Sequence, residues 1–269
     1  MEDLLRHLAP VTSAAWALID EQARQVLKVN LAARHLVDFE GPKGWRKSSI
    51  NLGRISPLPT SPVKSVTASL RDVQPLVELR APFELSRTEL DNVGRGCPDP
   101  DLDALIQAAI AVGHAEDKAV FHGFGAARIG GIIERSPHPP LPIKDDYEAY
   151  PGTVANATRI LRMAGVDGPY AIALGPRCYT GLLQAMGRGG FPVLEVVRQV
   201  VGGPVVWAPA IDGAVVMSTR GGDFELTVGQ DFSIGYTSHT ATTVSLYLVE
   251  SITFRVLTPE AGVWLRYGT

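Results

Sequence analysis

Only two cysteines, Cys97 and Cys178, occur in the 269-residue chain, and they stand far apart with no CxxC spacing. This excludes a disulfide framework and a cysteine zinc site, and it fits a reducing compartment. No run of five or more Lys or Arg is present, and the net charge is −3. A surface that tracks nucleic-acid phosphates is therefore not expected. No apolar run approaches the length of a membrane span, so a membrane is not an expected partner either. The opening MEDLLRHLAP carries acidic residues and a proline where a secretory signal needs a basic start and an uninterrupted apolar stretch. A cytoplasmic protein is expected. HExxH, the Walker loop and the GxSxG elbow are all missing, and with them common signatures of catalytic and metal centres.

What is present is an ordinary globular composition, with 45% hydrophobic and 20% charged residues. Charge is slightly low for a freely soluble monomer, which leans toward buried subunit interfaces. The length allows one large domain or two modest ones. From Ser13 to about Leu36, apolar residues recur at helical intervals behind a Thr12 or Ser13 N-cap, predicting one or two amphipathic helices. Residues 48–80 hold two short alternating runs around Pro57, Pro59 and Pro62, the pattern of a long β-hairpin. That hairpin has few large apolar residues with which to form its own core, so it must lie on its own domain or on a neighbouring subunit. Ser86 and Glu89 have capping-box spacing and open a short helix, and DPDLDALIQAAIAVGHAEDKAVF, Asp99 to Phe121, reads as a long central helix of about 22 residues. A proline-rich stretch, SPHPPLPIKDDYEAYPG, marks the boundary of a second region of alternating helices and strands, and the tail from Phe224 to Trp264 is β-rich.

Several constellations invite a chemical reading and fail it. His114 and His122 lie on roughly one face of the long helix but two turns apart, about 11 Å, too far to share a metal. Glu116 and Asp117 between them point elsewhere, and this stretch reads as a solvated or interface face. GFGAARIGG has Arg128 where a dinucleotide loop needs glycine, and it follows a helix instead of a strand. RGGDF is most simply a tight glycine turn between strands, with Asp223 as a turn or cap residue. The loop GRGG at 187–190 is taken alone only a helix connection, which symmetry could turn into a pore lining.

Read in order, LAPVTSAAW, ARHLVDFEGPKGW, LVELRAPFELSRTELDNVGRG, EDKAVFHG, AGVDGPYAIALGPRCYT, WAPAIDGAVVMSTRGGDFELTVGQDFSIGY and SLYLVESITFRVLTPEA resemble the encapsulin family, also called linocin-type bacteriocins. The resemblance spans nearly the whole chain. It implies an α+β fold of the HK97-like tailed-phage major capsid type. The peripheral P-domain would take residues 1–47, 81–134 and 216–269, the extended E-loop 48–80 and the axial A-domain 135–215. It implies a non-enzymatic protomer that assembles with itself into a shell, on the order of 60 copies for a chain this short.

The family loads cargo through a C-terminal targeting peptide of the cargo protein, docked on the inner wall. Carried onto matching positions, this implicates Leu31, Arg34, Asp38 and Phe39 with Asp231, Phe232 and Ile234, an apolar groove edged by an arginine and two carboxylates. The cargo expected is a ferritin-like iron oxidase or a dye-decolourising peroxidase. Gly187, Arg188, Gly189 and Gly190 are expected at the fivefold pore. Some relatives stack a flavin on an aromatic residue where this chain has Thr88, so no cofactor is expected. Two rival readings are a prophage major capsid protein, which a scaffold or maturation-protease segment would mark, and a secreted bacteriocin or protease, which a signal peptide and a nucleophile would mark.

Overall fold

A computed structural model describes residues 2–187 and 189–268. The first helix, α1 (Ser13–Asn30), starts where Thr12 accepts a hydrogen bond from the Ala15 N–H at 3.2 Å. It buries Ala15, Ile19, Ala23 and Leu27, one residue per turn. It stops at Asn30, and a single tight turn at Ala33–His35 makes up the rest of the helical stretch expected to about Leu36, the two-element alternative. Strand β1 (Asp38–Glu40) follows, then β2 (Ser49–Pro57) and β3 (Ser69–Pro75), which pair antiparallel with each other alone, then the long β4 (Val77–Ser86). Ser86 caps the short helix α2 (Arg87–Gly94), and the predicted central helix is α3 (Asp103–Phe121).

Helix α4 (Ile132–Arg135) and strand β5 (Leu141–Ile143) lead into the second region. That region holds α5 (Tyr150–Met163), β6 (Tyr170–Leu174), α6 (Pro176–Gln184), α7 (Val193–Val201), β7 (Val205–Trp207) and β8 (Ala214–Ser218). The β-rich tail is β9 (Phe224–Val228), β10 (Ser233–His239), β11 (Thr243–Val256) and β12 (Gly262–Tyr267).

Two five-stranded sheets organise these elements. In the first, the 14-residue β11 carries β4 along one edge, and β10 and then β9 along the other, with β1 parallel to β9 outside them. Helices α1 and α3 cover one face of this sheet around a core of Ile19, Leu27, Leu105, Val112, Leu246 and Leu248. In the second the order is β5-β12-β8-β6-β7, and β6 and β8 are buried at every residue. The all-apolar YAIAL and AVVM runs are thereby explained, since a central strand covered on both faces needs no alternation. Strand β12 from the tail sits inside this second sheet, and β8 runs past residue 215 to Ser218, so the sheet draws on more of the C-terminal segment than the 135–215 span. One continuous apolar core joins the second sheet to Phe224, Leu226 and Phe254 of the first.

The β2–β3 ribbon stands apart from both cores. Only its base is tied down, by buried Ile50 and by Gln74, whose amide donates to the Phe254 carbonyl at 2.8 Å and the Thr253 hydroxyl at 3.0 Å. Further out, Ile55, Leu70, Val63 and Val66 are each more than half exposed. A two-stranded ribbon with bare apolar side chains is at best marginal in water, which leaves burial against another chain as the outlet for that surface.

Candidate functional site

Where α1 ends, its last turns meet β10 and the N-terminal residues, enclosing a groove of about 660 Å³. Its floor is apolar. Ala23 and Leu27 of α1 and Leu31, which caps its end, follow at four-residue intervals, Ile234 and Leu248 come from β10 and β11, and Leu4 closes one end. The rim is charged: Arg6, ion-paired to Asp20 at 2.8 Å and lying 3.9 Å over the Trp16 ring, then Arg24, Lys28, and finally Arg34 with Asp231. Strand β10 pairs with β11 on one edge only, so its other edge can accept an extended segment.

Of the seven residues expected to work together, Leu31, Arg34, Asp231, Phe232 and Ile234 line this groove. Phe39 adjoins it, its ring 5.1 Å from the Arg34 guanidinium, with Phe232 at 4.6 Å. Asp38 does not join them. Its carboxylate accepts the Gly222 N–H at 2.6 Å and anchors the 220–222 glycine turn, because strand alternation sends Asp38 to the side of β1 opposite Phe39.

Arg34 is fixed by a cluster that the sequence did not announce. Its Nε and Nη2 fork onto Glu116 at 2.9 and 2.6 Å, Nη2 also reaches Glu250 at 3.1 Å, and Nη1 reaches Asp231 at 2.8 Å. Glu116 and Glu250 are wholly buried, whereas the Asp231 side chain is 40% exposed. Beside Glu116, Asp117 accepts the backbone N–H groups of Ala32 and Ala33, each at 2.9 Å. The expectation of a solvated or interface face at Glu116 and Asp117 is thus corrected. Both are core residues that face the turn after α1 and have partners there.

Electrostatics follow from burial. Desolvation works against the charged guanidinium, yet the hydrogen bond and charge of Glu116, with Glu250 and Asp231, outweigh it and Arg34 stays protonated. Burial pushes Asp117 up to about 7, against the two N–H bonds that favour its ionised form. Burial, then the nearby Glu116, hold Glu250 well above the usual carboxylate range.

The 187–190 loop closes through a Gly187 N–H to Phe191 carbonyl bond at 2.9 Å, with Gly189 and Gly190 at positive φ, which glycine alone adopts without strain. Arg188, expected to face a pore, lies outside the described residues. Exposed Leu183, Met186 and Phe191 flank the loop. Thr88 is exposed on α2. Among the described residues no group of three or more His, Cys, Asp or Glu could hold a metal ion, and no helix is long and apolar enough to cross a membrane.

Comparison with known proteins finds relatives over nearly the whole chain. A family described as "encapsulating protein for peroxidase" matches residues 1–253. The chain is 52% identical to a type 1 encapsulin shell protein of Rhodospirillum rubrum, over 99% of this chain and 97% of that one. It is 43% identical to the type 1 encapsulin shell protein of Mycobacterium tuberculosis, over 99% and 100%. Among solved structures, a virus-like particle from Pyrococcus furiosus superposes with a TM-score of 0.62 at 20% identity, covering 90% of this chain and 97% of that one. The capsid of an empty GTA particle superposes with a TM-score of 0.55 at 14% identity, covering 89% and 90%. At such identities these structures establish the fold alone, which is the HK97-like capsid fold.

Proposed function

The chain belongs to the encapsulin shell-protein family, and from that premise we propose that it is the repeating protomer of a closed icosahedral nanocompartment. Its role is structural, as the names of its relatives state for them. Copies number on the order of 60, in equivalent contacts. The bare β2–β3 ribbon lies along a neighbouring copy, where its apolar residues and strand edges find partners. Small solutes pass through pores rimmed by the 187–190 loop.

The shell encloses a cargo enzyme, a dye-decolourising peroxidase or a ferritin-like iron oxidase. The wording of the matching family favours the peroxidase. The cargo docks by an extended C-terminal peptide in the groove between α1 and β10. One observation carries this docking role, namely the 660 Å³ groove with an apolar floor beside the unpaired edge of β10. An extended peptide there gains main-chain hydrogen bonds from the edge and side-chain pockets from the floor, and many grooves per shell add avidity for an oligomeric cargo.

The test is co-purification of endogenous cargo with shells carrying Leu31→Asp or Ile234→Asp. A charge on the floor should empty the shells while particles still form. Full cargo loading in both variants would dismiss the groove as the docking site.

A further inference from the structure

Under the groove, the single cation Arg34 contacts three carboxylates, Glu116, Glu250 and Asp231, and Asp117 lies next to Glu116. Four carboxyl groups around one guanidinium, three of them fully buried, cannot all be ionised, because an uncompensated charge away from water costs several kcal/mol. Glu250 is where the excess is relieved. Its Oε2 accepts from Arg34, but its buried Oε1 has no donor near it. An ionised Glu250 would leave half of its charge unpaired there, whereas a protonated one carries its own hydrogen. Both glutamates hold the same Arg34 nitrogen, so that proton lies close to Glu116.

No other charge reaches this spot from the surrounding sheet. Across from Glu250 on β4 stands Leu79, and its neighbours Glu78 and Arg80 alternate to the opposite face, where they pair with each other. The cluster therefore comprises Glu250 from β11, Glu116 and Asp117 from α3, Arg34 from the turn after α1 and Asp231 from the turn before β10.

We propose that Glu250, with Glu116 and Asp117, is a positioning residue for the groove: a proton held by Glu250 keeps Arg34 and the end of α1 seated on the spine helix, and its loss as pH rises unseats them. The link to the groove is direct, since Leu31 and Arg34 line it and immediately flank the two N–H groups that Asp117 holds. This proposal rests on the reading of the groove as a docking site for its functional meaning, but the joint can be tested without any cargo.

Hydrogen–deuterium exchange of intact shells between pH 6 and pH 9.5, corrected for intrinsic exchange rates, reads the segment 27–36 against the buried strand β6 as internal reference. In the unmodified chain, protection of 27–36 should fall at least tenfold over this range while β6 is unchanged. Glu250→Gln, which keeps a neutral donor of the same shape, should flatten that response. A fluorescein-labelled peptide of alternating leucine and serine then reports docking, and its affinity should weaken with pH in the unmodified shell and hold in Glu250→Gln. If 27–36 keeps its protection at pH 9.5 in the unmodified chain, the proton joint does not exist, whether or not the variant folds. If the joint opens but the peptide never binds, the docking reading has failed and the joint stands.

Discussion

Asp117 offers the sharpest quantitative test, because its two hydrogen bonds fasten the turn that ends α1. Ala32 and Ala33 are almost completely buried, so removing the carboxylate in Asp117→Ala leaves two backbone N–H groups without water or protein partners. Each orphaned donor costs about 1–3 kcal/mol, so the variant should lose roughly 2–6 kcal/mol. For a chain of this size that is a fall in Tm on the order of 5–20 °C.

The pH dependence carries a second signature. Burial raises Asp117 from its ordinary 3.8 to about 7, so between those values the folded chain holds a proton that the unfolded chain has released. Stability from this group is then full below about pH 4 and declines as pH rises toward 7, by about 4 kcal/mol in all. Asp117→Asn cannot titrate and retains one acceptor. It should lose about half as much stability as Asp117→Ala at acid pH and show a flatter profile from pH 4 to 7. Differential scanning fluorimetry at closely spaced pH values, on assembled particles of equal concentration, measures both. A Tm for Asp117→Ala within 1 °C of the parent would refute the reasoning, since it would mean that water already serves those N–H groups.

Other outcomes follow from the same geometry. Arg34→Leu strips buried Glu116 and Glu250 of the one cation paired with them among the described residues and should destabilise by about 3–5 kcal/mol, read as a drop in denaturation midpoint; an unchanged midpoint would show that neither glutamate is charged in the fold. Ile55→Asp with Leu70→Asp on the exposed ribbon should abolish assembly and leave the protomer folded by circular dichroism, whereas wild-type particles would show that this surface meets no neighbour. Cys178 is fully buried, its thiol raised chiefly by desolvation, and it sits 3.1 Å from the Tyr150 hydroxyl; a maleimide should therefore label Cys97 alone in the native chain, and rapid labelling of both would contradict the packing.

How much of this was legible in the sequence depended on how local the determining interaction is. The helices α1 and α3 announce themselves through apolar spacing, and the ribbon through alternation and prolines, because each is set by near neighbours in the chain. Whether residues 13–36 form one helix or two was left open by the local pattern, because the turn that follows Asn30 is held by Asp117, more than eighty residues away, taking the N–H groups of Ala32 and Ala33. Glu116 and Asp117 looked like a solvated face for the same reason, as a buried carboxylate can be recognised only when its partner is in view. The family resemblance brought Leu31, Arg34, Phe39, Asp231, Phe232 and Ile234 to one region but carried Asp38 along with its neighbours, although its side chain turns the other way. Strand β12 joined the second sheet through long-range pairing with β8 and β5 that no local pattern encodes. Residues Ala23 and Leu27 were legible as a helix face, yet nothing in that pattern says that one side of the face meets a groove.

The central claim is that this chain closes a shell around its cargo. Electron microscopy of the purified protein, expressed alone at neutral pH and moderate salt and sized beforehand by gel filtration, tests it most directly. Uniform hollow icosahedral particles, with a diameter fitting about 60 protomers, are the predicted result. A small monodisperse species with no closed particles would contradict it.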